Sequence, residues 1–265
     1  IAGLARRMRP YSAAVPKAML PLVRGNILRP VIHWILADVK SAGIDEVGVV
    51  ASPDQVHMVE NYRQAAIEAG DEDLPEIHVL VQDRPTGFGD AVLQAGEYVG
   101  SESFALLLGD HVYVSSDVQP CIAQVVGAYE KHSAMAMVGV QAVSETELCR
   151  VGTTAGDLMA DRVYRCRAFV EKPSIDIART QLRTSGLEEG QYLGHCGIYV
   201  FSPVIFDYLR EIASIPATGG ELELADAQKL LLERDSDSYF LFHISGQALD
   251  VGSPQGYAKA QEVFR

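Results

Sequence analysis

Long apolar runs are missing from this chain. The stretch FALLL, residues 104–108, is typical of the longest, and it is far too short to cross a bilayer as a helix. Cysteine is scarce and scattered. Cys121, Cys149, Cys166 and Cys196 form no CxxC pair and stand at no metal-ligand spacing, so reduced thiols in a cytoplasmic protein are expected. Positive charge is also short, with 22 Lys and Arg against 35 Asp and Glu and a formal net charge of −13. Such a surface repels nucleic-acid backbones and anionic membranes, which excludes both as expected partners. Small anions stay open, because a local cluster of Arg and Lys can still attract them. No secretory signal, internal repeat or low-complexity tract is evident, and no GxSxG, HExxH or P-loop signature occurs.

The rhythm of strand-like and helix-like segments is what the chain does have. PVIHWILADVKSAG (residues 30–43) starts at Pro30, repeats apolar residues at 31, 32, 35, 36 and 39, and stops at Gly43, as a helix should. EVGVVAS, a polar helix ending at Gly70, IHVLVQ, a helix from about Phe88, FALLLGD, a helix through Tyr129 and AMAMVGVQAV continue the alternation. Strands alternating with helices imply a mostly parallel sheet covered on both faces. After about residue 145 the rhythm loosens into VYRCRAFVEKPS, GHCGIYVFSP, the helix ELELADAQKLLLER, the strand YFLFHI and a last helix from Pro254. The 265 residues are expected to form one domain, with 1–145 and 146–265 as its halves.

In open α/β sheets ligands gather beyond the carboxyl ends of the strands. That rule singles out the residues from Gly3 to Arg7, Gln82 after IHVLV, and Asp110 after FALLL. Asp110, and Asp250 in ALDVGSP, are each a metal-ligand candidate or a turn aspartate. Lys17 and Lys172 each stand beside a proline, placed either for phosphate or as surface lysines. Gly87 and Gly89 open a helix where bare backbone lets a planar group approach. His111 and His195 have no partner at a metal or triad spacing and read as core or surface histidines. The first ten residues, IAGLARRMRP, read as the front of a phosphate-binding loop carrying two arginines.

Taken in order, AGLARRMRP…VPKAMLPL, VQDRPTGFGDAVLQA, LLLGDH, FVEKPS, GIYVFSP, GGELELADA and DVGSPQGY resemble the sugar-1-phosphate nucleotidylyltransferases, most of all the bacterial UTP–glucose-1-phosphate uridylyltransferases. The resemblance runs from Ile1 to beyond Tyr257. It implies a Rossmann-like, glycosyltransferase-A-type three-layer α/β sandwich with a mixed, mostly parallel sheet. Residues 1–145 would mainly bind the nucleotide and 146–265 the sugar. The expected reaction makes UDP-glucose and pyrophosphate from UTP and glucose 1-phosphate with Mg²⁺, in a cytoplasmic homo-oligomer, dimer or tetramer. Another nucleotide such as a thymidylyl donor, or a weakly active regulatory homologue, stays open.

Residue by residue, the resemblance puts Ala2, Gly3, Leu4, Arg7 and Lys17 around the nucleotide phosphates. It puts Gln82 and Gly87 at the uracil, Asp110 and Asp250 on the metal, and Glu171 on sugar hydroxyls. Lys172 faces the sugar phosphate, and Gly152, Gly197 and Glu221 line the sugar pocket. Glu171 and Lys172 are adjacent, so a strand would turn them to opposite faces unless the backbone bends near Pro173. The family's usual GLGTRM is here GLARRM, with Ala5 and Arg6 in place of glycine and threonine. Ala13 stands for a lysine and Ala18 for an acid.

Overall fold

The structure is a computed structural model that describes Met8 and residues 15–71, 74–215 and 220–264. The expectations placed on Ala2, Gly3, Leu4, Ala5, Arg6, Arg7 and Ala13 lie outside these residues. After a 3-10 turn at Lys17–Met19 the chain forms β1 (Pro21–Arg24), β2 (Ile27–Pro30), α1 (Val31–Ser41), β3 (Glu46–Ala51), α2 (Pro53–Glu68) and β4 (Glu76–Val81). Two short helices, α3 (Phe88–Leu93) and α4 (Gly96–Val99), lead into β5 (Phe104–Leu107), β6 (His111–Ser115), α5 (Cys121–Glu130) and β7 (Ala136–Ser144). The second half holds β8 (Gly152–Ala160), β9 (Val163–Glu171), α6 (Ile175–Gln181), β10 (Gln191–Phe201), α7 (Val204–Ser214) and α8 (Leu224–Arg234). It closes with β11 (Tyr239–His243), β12 (Gly246–Asp250) and α9 (Pro254–Val263).

Helix α1 buries the face its spacing predicts, including Val31, Ile32, Ile35, Leu36 and Val39, and Pro30 caps it. The central sheet has six strands in the order β5-β10-β7-β11-β9-β8. Its strands sort their apolar residues by strict alternation. Ala136, Val138 and Val140 of β7, Tyr199 and Phe201 of β10, and Tyr239 and Leu241 of β11 face one cluster with Phe206 and Leu209 of α7 and Leu224 and Leu231 of α8. Met137, Ile198, Val200, Phe240 and Phe242 face the other cluster with Val39 of α1 and Ile122 and Val125 of α5. Two helical layers sandwich one sheet, as expected.

The sheet is mixed, but its parallel share is smaller than the alternation implied. Among the described residues only β7 with β11 pairs in parallel within this sheet, so it is mostly antiparallel rather than mostly parallel, and β3 with β4 is a separate parallel pair. The reversal centres on β10, which runs antiparallel to both β5 and β7. An all-apolar strand fits a two-sided core in either direction, so its pattern carries no sign of direction. Ala18 also finds its reason in the fold. It is 1 % exposed, against Ile32, Leu36 and Val49, where a carboxylate would be stranded in apolar surroundings.

Candidate active site

Strands β6 and β12 form their own two-stranded antiparallel sheet with His111 opposite Asp250, which brings residues far apart in sequence together at one end of it. Asp110 precedes this pair, and its carbonyl accepts from the Val251 N–H at 2.9 Å. Lys17 arrives from the 3-10 turn and donates from Nζ to Asp110 Oδ2 at 2.8 Å. His111 Nδ1 lies 3.1 Å from Asp110 Oδ1. The Asp250 carboxylate turns back to accept the Gly252 N–H at 2.7 Å. One point lies against all three charged groups: a Cβ on Gly252 would sit 2.6 Å from Asp110 Oδ2, 2.7 Å from Lys17 Nζ and 2.8 Å from Asp250 Oδ1. Any side chain there would force these three groups apart.

Ligand atoms of Asp110, His111 and Asp250 all lie within 4.8 Å of one another, close enough to share a cation. Burial on its own would raise the Asp110 carboxyl. The hydrogen bond and charge of His111, then the charge and hydrogen bond of Lys17, reverse that and hold it well below the usual carboxylate range. Asp110 is therefore ionised throughout the physiological range. The sequence reading of His111 as a bland core or surface residue is corrected here. Its partner is its own neighbour Asp110, and the strand pairing that adds Asp250 has no local signature.

A second group forms where β8 meets β9. Gly152 pairs with Glu171, and Glu171 Oε2, the Phe169 ring and His195 Nδ1 lie 2.9, 2.9 and 3.0 Å from where a Gly152 Cβ would be. Strand β9 ends at Glu171, and Lys172 takes the left-handed conformation with φ of 47°. That bend is the one the adjacency demanded, and it lets Lys172 Nζ reach Glu171 Oε1 at 2.9 Å. Gly197 marks the bulge in β10, with φ of 82°. Its carbonyl accepts from Leu108 N–H at 3.2 Å and Tyr113 Oη at 3.1 Å, tying β10 to the loop that carries Asp110. Glu221 is exposed just before α8. Glu223, absent from the sequence expectations, belongs beside it. Partial burial pushes its carboxyl up, Glu221 adds to that, and Lys172 pulls the other way.

The third group is the loop after β4. Gln82 is 4 % exposed, and Gly87 caps α3 with φ of 123°. A Cβ there would lie 2.3 Å from the Leu222 carbonyl oxygen, so only glycine fits. Leu222 donates to Thr86 O and accepts from Gly89 N–H, both at 2.8 Å. The segment carrying Glu221 thus braces the loop carrying Gln82 and Gly87. The sheet end, the glycine loop and the Glu171–Lys172 bend together make a surface with paired acids and cations, suited to bringing phosphates and a metal ion together.

The nucleotidyl transferase family model matches residues 1–264, and the chain belongs to that family. It is 32% identical to the UTP–glucose-1-phosphate uridylyltransferase of Bacillus subtilis over 97% of this chain and 86% of the relative. It is 29% identical to that of Mycoplasma pneumoniae over 98% of this chain and 88% of the relative. Among solved structures, UDP-glucose pyrophosphorylase from Acinetobacter baumannii superposes with a TM-score of 0.79 at 26% identity, covering 100% of this chain and 90% of that one. A UDP-glucose pyrophosphorylase complexed with UDP-glucose shares the fold with a TM-score of 0.81 at 23% identity, over 99% of this chain and 95% of that one.

Proposed function

We propose that this chain transfers the uridylyl group of UTP to glucose 1-phosphate, giving UDP-glucose and pyrophosphate. The convergence of Lys17, Asp110 and Asp250 on Gly252 carries the reading. A phosphate oxygen of the sugar phosphate bonds to the α-phosphorus of UTP as the α–β bridging bond breaks, and pyrophosphate takes the electron pair. The nucleophile is already anionic near neutral pH, because a phosphate monoester has its second pKa near 6, so no general base is needed. The task is to gather anions and meet charge as it develops.

Two carboxylates offering hard oxygen ligands fit Mg²⁺, with His111 orienting Asp110. Mg²⁺ bound by Asp110 and Asp250 would supply Lewis acidity and neutralise phosphate charge. Lys17, held by Asp110, stands ready to meet the triphosphate. Arg7 and the loop Ala2, Gly3 and Leu4 share that role by resemblance. Glu171 grips sugar hydroxyls while Lys172 meets the sugar phosphate, with Gly152, Gly197 and Glu221 lining the pocket. Gln82 and Gly87 meet the uracil. All of residues 1–265 act as one nucleotidyltransferase domain, and the cytoplasmic location and homo-oligomer expected from the resemblance belong to the same proposal. No helix among the described residues is long and apolar enough to cross a membrane. Pyrophosphate release across a panel of nucleoside triphosphates and sugar 1-phosphates tests the reading. UTP with glucose 1-phosphate is expected to lead, and a different leading pair would overturn it.

A further inference from the structure

Gln82 is buried, and its side-chain amide has little freedom. Nε2 donates to the Gly87 carbonyl at 3.1 Å and to Asp90 Oδ2 at 2.6 Å, which uses both hydrogens of the amide nitrogen. A primary amide can exchange its oxygen and nitrogen by a half-turn, and the surrounding donors and acceptors decide which way it sits. Two acceptors decide here, and one is a carboxylate, which cannot donate. An amide oxygen turned toward Asp90 would face it lone pair against lone pair. Asp90 is itself steadied from the other side, where Oδ1 accepts from Gln94 Nε2 at 3.3 Å. Among the described residues, both side-chain hydrogen bonds of Gln82 run through Nε2, and none uses Oε1.

We propose that Asp90 is a positioning residue that locks the Gln82 amide with its oxygen toward the nucleobase, and so restricts the nucleotide to bases that present an N–H donor at that point. The imide N3–H of uracil or thymine meets this demand. Cytosine seated in the same ring position has an acceptor nitrogen there, and its lone pair would oppose that of Oε1. An amide free to turn would offer NH₂ instead and tolerate cytosine. The proposal rests on the reading of Gln82 as the residue that meets the base. It adds that selectivity lies one residue further out, in a carboxylate that need not touch the nucleotide.

The test compares kcat/KM for UTP and CTP, the KM for glucose 1-phosphate and the melting temperature in the parent, Asp90→Asn, Asp90→Glu and Gln82→Ala. The carboxamide that Asp90→Asn introduces can present either oxygen or nitrogen to Gln82, so the stronger of the two acceptors that orient the amide is lost while the Gly87 carbonyl and the shape are kept. The UTP-to-CTP ratio of kcat/KM is expected to fall about tenfold in Asp90→Asn, the effect of losing one oriented hydrogen bond. The KM for glucose 1-phosphate and the melting temperature should not move, and Asp90→Glu should restore most of the ratio. If Asp90→Asn lowers use of both nucleotides equally, or keeps the parent ratio while Gln82→Ala changes it, the lock is overturned. If Gln82→Ala leaves both the UTP KM and the ratio at parent values, the placement of the base at Gln82 is what fails.

Discussion

Asp110 and His195 are two titratable side chains at opposite ends of the same problem. Burial disfavours charge on both, raising the carboxyl and lowering the imidazole. Asp110 stays charged because His111 and Lys17 reach it from either side, and it ends well below the usual range. His195, 6 % exposed, has no hydrogen-bond partner at Nε2 among the described residues, and burial pushes it down to about 3. It stacks on Phe169 with ring centroids 4.8 Å apart, as an apolar ring would. At the proposed site, the fold thus keeps a partly buried charge by surrounding it with partners. The two lysine–carboxylate pairs repeat the lesson at the surface. Lys17–Asp110 and Lys172–Glu171 are almost equally short, at 2.8 and 2.9 Å, yet the side chains of the first are 19% and 24% exposed and those of the second 57% and 38%. The first is a fixed part of the site. The second, in water, is worth little as an ion pair and can part when a ligand arrives.

The strongest way to break the charged side of this comparison is to crowd or neutralise it. Asp110→Asn or Asp250→Asn should cut turnover by about 100-fold or more, the scale of removing a group set against transition-state charge. Gly252→Ala should do the same without changing any charge, since its Cβ would lie within 2.8 Å of Lys17, Asp110 and Asp250 side-chain atoms. Circular dichroism should show each variant folded. Near-parental turnover in any of them would separate this cluster from the reaction. A smaller effect is expected at the exposed pair. Lys172→Ala should raise the KM for glucose 1-phosphate by about tenfold or more, the loss of a charge-assisted contact, and leave the KM for UTP within about twofold. Equal losses for both substrates would make Lys172 a structural residue instead.

Much of this arrangement is legible in the sequence because it is local. An acid just beyond an apolar strand made Asp110 a candidate, a lysine before proline made Lys172 one, and the 3.6-residue spacing fits α1. What was hidden depends on pairing across the chain. His111 gains its meaning only when β6 lies beside β12, and the glycine loop gains its brace only when Leu222 reaches Gly87. The direction of β10 was hidden for the same reason, since alternation fixes faces and not polarity. Asp90 was missed because an acid in the first turn of a helix already has an ordinary explanation in the helix dipole.

The smallest effect at neutral pH is expected at His195, and it sharpens the comparison from the uncharged side. His195→Leu loses the stack on Phe169, worth about 0.5–1.5 kcal/mol, but also removes a buried nitrogen without a partner, which costs a similar amount. The two should offset, leaving stability at pH 7 within about 1 kcal/mol of the parent. Acid then separates them. The unfolded imidazole takes up a proton near pH 6.5 and the folded one only near 3, so between those values the unfolded state binds more protons. The stability His195 contributes is present in full above about 6.5 and is lost as pH falls toward 3. One unit into that window the parent should have lost about 1.4 kcal/mol relative to the leucine variant. Asp38, pushed up to about 6 by burial against the opposing charge of Arg24, acts in the other direction over much of the same range, but it is common to both proteins and cancels in the difference. Urea unfolding of both at pH 7 and at about pH 5.5 measures that difference. A gap that does not widen on acidification would mean that the folded protein accepts the proton, and that His195 has a partner after all.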